Sequence, residues 1–279
     1  MKSFIINSVG RLDIFVWIFV LVFFCGSALL FNGNLQLAFI GAAGVIFEML
    51  LIAMAVEIII ECLKNKKGIG TITGFITNGP EAVCLIVGLL AGDIIFAAST
   101  PLGSNFMNPI LLILAAVICH QTVVVFKTKP LYSIGTILIT TILAGGFFFL
   151  KPSHYLFWLA AAFVVTSILF FIRPHEQEED TEEHSFNPTL WLIPSILLLV
   201  IAGYFLDPVV SFAATNSHAP KGVIGFVVLA TLTSWPEFKS CLVLLNRRKP
   251  LAAILNITVS NITNIWLAAV GVATYLFTS

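Results

Sequence analysis

Charge is scarce in this chain. Of 279 residues, 14 are Lys or Arg and 14 are Asp or Glu, so the formal net charge is zero. A balance so small gives no electrostatic hold on nucleic acid or on an acidic macromolecule, and no nucleic-acid partner is expected. The five cysteines, at 25, 62, 84, 119 and 241, stand singly with no CxxC pair, which excludes a disulfide framework and a zinc site. There is no HExxH, no GxSxG and no phosphate-cradling glycine loop, and His and Asp do not cluster outside one short linker. An enzyme is therefore not expected, nor any bound cofactor. What fills the chain is apolar: 59% of it is hydrophobic and the mean hydropathy is +1.04. That composition belongs to an all-α, polytopic membrane protein whose surroundings are the lipid bilayer.

With about 20 apolar residues per crossing, nine helical spans are expected, at 13–31, 36–62, 71–91, 94–119, 131–150, 154–173, 189–206, 222–246 and 250–277. The first is long, lacks a small-x-small cleavage site and leads straight into the second, so it reads as a membrane helix rather than a signal peptide. Residues 1–35 then form an extra N-terminal span, 36–173 a first half, 174–188 a linker and 189–279 a second half. The linker, PHEQEEDTEEHSFNP, holds six carboxylates and reads either as a solvated connection or as a cation-sensing segment.

Lys and Arg are unevenly distributed between the connections. Eleven of the 14 (Lys2, Arg11, Lys64, Lys66, Lys67, Lys127, Lys129, Arg173, Arg247, Arg248 and Lys249) fall on one side, and only Lys151 and Lys221 on the other. The positive side is the cytoplasmic one, which places the N-terminus inside and the C-terminus outside.

Polar residues inside the spans repeat. Thr77, Pro80, Glu81, Ser104, Asn105 and Asn108 are matched, each 156 residues later, by Thr233, Pro236, Glu237, Ser260, Asn261 and Asn264. Aligned without gaps, 77–108 and 233–264 agree at nine of 32 positions, and six of the nine are these residues. The first copy begins on an outward-running span and the second, five spans later, on an inward-running one. The duplication therefore has inverted topology, an architecture common among secondary transporters, and its two glutamates are expected to meet near the middle of the membrane.

Charges and amides are costly in hydrocarbon, so a Glu beside a Pro at mid-membrane depth in both halves marks a functional site. Thr77, Asn78 and Glu81 share about one helix face, as do Ser104 and Asn108. Pro80 and Pro236 lack an N–H and free backbone carbonyls around Ile76 and Thr77 and around Leu232 and Thr233. Two carboxylates, several hydroxyls and amides and free carbonyls make a hard, oxygen-only site of charge near −2. That suits Ca²⁺, with Na⁺ or protons as alternatives.

TNGPEA followed by PLGSNFMN, and LTSWPEF followed by TVSNITN, resemble the two alpha repeats of the cation/calcium exchanger superfamily, the sodium/calcium exchangers and their relatives. The resemblance is specific over 36–119 and 189–277, with alpha repeats at 71–119 and 222–277. By matching positions it implies cation ligands at Thr77, Asn78, Glu81, Ser104 and Asn108 and at Thr233, Ser234, Glu237, Ser260 and Asn264. It implies that the second and seventh spans slide against a fixed core, and the likeness to prokaryotic members implies a bacterial inner (plasma) membrane. Ile76 and Leu232 stand where the family usually has Gly, Val259 replaces the Gly of GSN, and both Asn108 and Asn264 are Asn where many calcium transporters have one Asp. Two family spans are absent after the second repeat, and the extra first span is a candidate to fill their place.

Two further residues are open to alternative readings. Lys239 reads either as snorkelling to the interface or as an internal cation that pairs with a carboxylate when the site is empty. Glu48 lies at the depth of a gate residue on the second span, while Glu57 and Glu61 sit near that span's end beside Lys64. The expected function is antiport of Ca²⁺ or a similar cation for Na⁺ or H⁺. Monovalent cation/proton exchange and a non-transporting sensor or scaffold are the alternatives.

Overall fold

The computed structural model describes residues 9–64, 66–90, 94–176, 189–220, 231–232 and 234–278. Their helices are α1 (Arg11–Leu30), α2 (Leu35–Leu63), α3 (Ile69–Ile76), α4 (Gly79–Leu90), α5 (Ile94–Ile118), α6 (Thr122–Lys127), α7 (Pro130–Phe147), α8 (Tyr155–Phe171), α9 (Thr189–Ser217), α10 (Trp235–Asn246) and α11 (Pro250–Thr278). A 3₁₀ turn, Pro152–His154, leads into α8. No strand occurs among the described residues. Eight helical stretches are long and apolar enough to cross a membrane, and the chain is an all-α polytopic membrane protein. Of the eighth expected span, 222–246, the residues 222–230 and 233 lie outside the described residues.

The distribution of side chains is that of a protein dissolved in lipid. Leu90, Leu131, Phe149 and Phe157 are almost fully exposed, which in water would be a liability and in a bilayer costs nothing. The interior is lined instead by small and polar groups: on α11 the buried residues include Ala252, Ala253, Asn256, Thr258, Ser260, Asn261, Asn264, Ala268 and Ala269. Small side chains let helix backbones approach, and dispersion between them replaces the hydrophobic drive that lipid does not supply.

The described residues divide into two compact units. One contains α1, most of α2, α9 and the following residues as far as Pro236. Within it α1 packs against α9. A Cβ added to Gly41 of α2 would stand 2.7 Å from Ala213 Cα of α9, so the two helices cross with nothing larger than hydrogen between them. The Asn34 N–H also bonds the Asn216 carbonyl at 2.8 Å.

The other unit contains α3 to α8, α10 from Glu237 onward, and α11. Its axis is α11, which packs against α3, α4, α5, α6, α7 and α8. An apolar cluster of Leu102, Phe147, Tyr155, Trp158, Ile265 and Val272 closes one region of it, with the Trp158 indole donating to the Leu143 carbonyl at 2.9 Å. Phe75, Phe170 and Trp266 stack in another region, and the Trp266 indole donates to Thr166 Oγ1 at 2.8 Å.

Gly70 and Gly74, one turn apart on α3, are what allow that helix to lie on α11. A Cβ at Gly70 would fall 2.2 Å from the Ala252 carbonyl oxygen, and one at Gly74 2.7 Å from that of Asn256. The obstacles are backbone, which cannot rotate away. Gly70→Ala should therefore destabilise this unit by about 1–3 kcal/mol or more, read as a clear fall in the melting temperature of the purified protein. Gly103, whose added Cβ meets nothing within 4 Å, serves as the control, and equal melting of the two Ala variants would refute the close contact.

The third span is interrupted, as Pro80 leads one to expect: it consists of α3 and α4, broken at Thr77 and Asn78. Two expected boundaries are corrected. The seventh, expected to stop at 206, runs as α9 to Ser217 through Asp207 and Pro208. A proline late in a helix forfeits only one backbone bond there, and the apolar and small residues that follow keep the helix going. The connection between the fourth and fifth spans holds the short helix α6.

Three of the positively charged connections that this unit contains, those of Lys64 and Lys67, of Arg173 and of Lys249, come together. Lys249 Nζ donates to the Lys64 carbonyl at 3.1 Å, and Lys67, Arg173 and His175 line a pocket around Glu176, the first carboxylate of the linker. The rest of the linker, 177–188, lies outside the described residues. Glu176 accepts from the Gly70 N–H at 3.0 Å and the Thr71 N–H at 3.4 Å, capping the N-terminus of α3, where the helix dipole favours a negative group. Burial nevertheless raises its carboxyl above the ordinary range, the two N–H groups and Lys249 pulling the other way. A carboxyl raised on folding contributes stability that is present below its unfolded value and lost as pH rises through the folded one. The wild type should thus lose melting temperature over that window relative to Glu176→Gln, which keeps an acceptor oxygen but cannot ionise. Parallel pH profiles for the two proteins would refute this.

Candidate cation site

Pro80 sets the path of the third span. It offers no N–H to the Ile76 carbonyl and its ring crowds that carbonyl. The chain accordingly leaves helix α3 at Ile76 and restarts as α4 at Gly79. The Thr77 N–H still bonds the Thr73 carbonyl at 2.9 Å and the Ala82 N–H the Asn78 carbonyl at 3.0 Å, so the interruption is confined to Thr77 and Asn78. Glu81 then falls in the first turn of α4, as Glu237 does in the first turn of α10 behind Pro236. A helix N-terminus carries partial positive charge, which supports both carboxylates. On α5, Pro109 withholds a donor from the Asn105 carbonyl in the same way. Thr141 Oγ1 of α7 supplies one at 3.2 Å.

Thr77, Asn78, Asn105, Asn108, Ser260, Asn261, Asn264 and Glu237 are all at most 2% exposed, and Glu81 is 9% exposed. Ser104 hydrogen bonds to the Glu81 carboxylate. The Thr77 and Ser260 hydroxyls stand beside the Glu237 carboxylate, and the charges of Glu81 and Glu237 face one another. Amides tie the two repeats together. Asn78 Nδ2 donates to the Gly74 and Ser260 carbonyls, each at 3.0 Å, and Asn78 Oδ1 accepts from Ser260 Oγ at 3.0 Å. Asn108 Nδ2 donates to Ser260 Oγ at 3.1 Å and to Asn261 Oδ1 at 2.9 Å.

The amide hydrogens of Asn78 and Asn108 are thereby turned onto protein acceptors. Without a partner are Thr77 Oγ1, Glu81 Oε2, Asn108 Oδ1, both Glu237 oxygens, and Oδ1 and Nδ2 of Asn264. All but one of these atoms are oxygens with a lone pair to offer. A buried polar group left unpaired costs about 1–3 kcal/mol, and native proteins keep few of them. One dehydrated cation can satisfy several at once, and two carboxylates compensate its charge.

Seven of the expected ligands, Thr77, Asn78, Glu81, Ser104, Asn108, Glu237 and Ser260, are thus found together in one unit. Asn264 is buried on α11 one turn beyond Ser260. Ser234 is buried with its Oγ unpartnered but belongs to the other unit, as does Glu48. Thr233 lies outside the described residues. Lys239 is 6% exposed, so it does not snorkel to the surface: the helix that carries it is buried on every side from Trp235 to Leu245.

Other buried polar residues around the site were not among the expected ligands. Asn261 and Asn105 belong to the duplicated pattern, yet their role beside the ligands shows only in three dimensions. Thr136 and Thr140 of α7, both fully buried, could have been found by their spacing of four in an apolar span, which puts two hydroxyls on one helix face. Asn256 of α11 accepts from Ser240 Oγ at 3.4 Å and donates to the Glu237 carbonyl at 3.5 Å, steadying the start of α10.

Residues 187–277 match the family model described as sodium/calcium exchanger protein. The match spans α9, α10 and α11 and so includes Glu237, Ser260 and Asn264; Thr77 to Asn108 fall outside it. No curated protein and no solved structure matches the chain. The second half of the chain is thus similar to the sodium/calcium exchanger family, which supports the resemblance to the cation/calcium exchanger superfamily and, in general terms, to cation transporters.

Proposed function

We propose that the protein is a secondary active antiporter that exchanges Ca²⁺ or a similar cation for Na⁺ or H⁺ by alternating access. The site is the one built around Glu81 and Glu237. One observation carries the reading: buried, unpartnered oxygens from both copies of the duplicated pattern converge about two carboxylates. Such a set is costly while it stays unpaired, and a hard cation of two charges matches its charge. The inverted relation of the repeats rests on the spacing of 156 residues and on the distribution of Lys and Arg. The same charge distribution assigns the end bearing Lys67, Arg173 and Lys249 to the cytoplasm, with the N-terminus inside and the C-terminus outside. The resemblance to the exchangers implies that the second and seventh spans, α2 and α9, slide to give alternating access.

A second reading has its own observation. Asn occupies both 108 and 264, so no third carboxylate joins the pair, and a charge near −2 also fits monovalent ions or protons. Flux in proteoliposomes separates the two: ⁴⁵Ca²⁺ uptake driven by an outward Na⁺ gradient and, separately, by a pH gradient. Calcium uptake under either gradient supports the first reading. Na⁺ or K⁺ exchange for H⁺ without calcium uptake supports the second, and no flux of any cation overturns both in favour of a sensor or scaffold.

A further inference from the structure

Asn108 and Asn264 hold equivalent places in the duplicated pattern, but the protein treats them differently. Asn108 has both amide hydrogens committed, to Ser260 Oγ and to Asn261 Oδ1, and only its oxygen is unpartnered. Asn264 has neither its oxygen nor its nitrogen paired. The difference traces to α7. Asn261 can turn its oxygen toward Asn108 because its own Nδ2 is held, 3.3 Å from Thr140 Oγ1. That hydroxyl can only accept from Asn261, since its hydrogen points to the Thr136 carbonyl at 2.8 Å. The matching amide of the first repeat, Asn105, donates to the Asn261 carbonyl at 3.2 Å and the Thr140 carbonyl at 3.5 Å, so its nitrogen is drawn toward α7 and α11, and its oxygen bonds nothing.

We infer that Thr140 is a positioning residue that makes the cation site asymmetric: by fixing the amide of Asn261, it makes Asn108 an oxygen-only ligand. An amide presents either an acceptor or a donor, and the two differ by a half-turn about one bond. Without the Thr140 acceptor, Asn261 can present Nδ2 to Asn108, and Asn108 must then turn its own N–H groups toward the cation. Preorganisation of this kind acts on affinity while leaving the folded protein in place. Asn264 has no such support and supplies the adaptable half of the site.

The inference rests on the proposed cation site, so the test measures binding by the wild type as well. Purified full-length protein in detergent is titrated with Ca²⁺ alone and with Na⁺ alone, and the cation-dependent rise in melting temperature gives an apparent affinity. Thr140→Val, nearly isosteric, removes the acceptor and is expected to weaken that affinity about tenfold or more, the equivalent of one buried hydrogen bond. Thr140→Ser keeps the hydroxyl and should restore it. Thr141→Val, which loses only the bond to the Asn105 carbonyl, should bind as the wild type does and controls for loosened packing of α7. Absence of any cation-dependent shift in the wild type overturns the site and the inference together. A wild-type shift that Thr140→Val retains, or that Thr141→Val loses equally, overturns the inference alone. Should Thr140→Val fail to fold, failure of Thr140→Ser to bind as the wild type would overturn it.

Discussion

Glu237→Gln is expected to reduce cation flux by at least about a hundredfold while the protein still folds, and Glu81→Gln to do the same. Glu237 is fully buried, and the Thr77 and Ser260 hydroxyls stand beside its oxygens without a well-formed hydrogen bond, so Gln, which keeps an acceptor oxygen, should leave the fold in place. Removing one partner of a buried charge pair costs about 3–5 kcal/mol, and each 1.4 kcal/mol is a factor of about ten. Two to three orders of magnitude follow when the missing partner of the cation is one of only two carboxylates. Gln also turns an N–H donor toward the cation, which no rearrangement of Thr77 or Ser260 can cancel. Stability should move the other way. Two buried carboxyls that face one another cannot both ionise cheaply without a cation, so each Gln variant should melt at or above the wild-type temperature when cations are chelated. Because the pair acts as a unit, the double variant should be no worse in flux than either single one. Flux within twofold of the wild type in either single variant would remove the carboxylates from the transport path.

Much of the site was legible because hydrocarbon penalises polarity. Glu81 and Glu237 announce themselves in a 59% hydrophobic chain, and the doubled spacing ties Thr77, Ser104, Asn108, Ser260 and Asn264 to them. Pro80 likewise announced an interrupted helix, and the break falls at the two expected ligands Thr77 and Asn78. The end of α9 was not legible: Asp207 and Pro208 look like a stop, yet the apolar and small residues that follow carry the helix on to Ser217. Lys239 misled as well. A long cationic side chain near a span end usually snorkels, and only packing reveals that this one is enclosed. The fine structure of the site could not be read at all, because an Asn in a sequence does not say which way its amide faces. That choice is made by Thr140 and Ser260, which are remote from Asn108 in sequence.

The same asymmetry predicts opposite outcomes for two substitutions that the duplicated pattern alone would treat as equal. Asn264→Asp should fold and should raise apparent Ca²⁺ affinity at least about tenfold, whereas Asn108→Asp should lower the melting temperature and bind Ca²⁺ no better than the wild type. An Asp at 264 sacrifices nothing, since neither amide atom of Asn264 has a partner. It adds a third negative charge beside a divalent cation, where even heavily screened Coulomb attraction over a few ångströms exceeds about 1.4 kcal/mol. An Asp at 108 surrenders both donated hydrogen bonds and brings a carboxylate oxygen against Asn261 Oδ1, an acceptor held at 2.9 Å. Two lost bonds at about 1 kcal/mol each, with a buried acceptor left facing a like partner, offset the added charge. Ca²⁺ titration of the melting temperature for the two variants, side by side, reads both effects. Equal behaviour of the pair would mean that the amides of 108 and 264 are equivalent, and the one-sided support from α7 would then have no bearing on the ion.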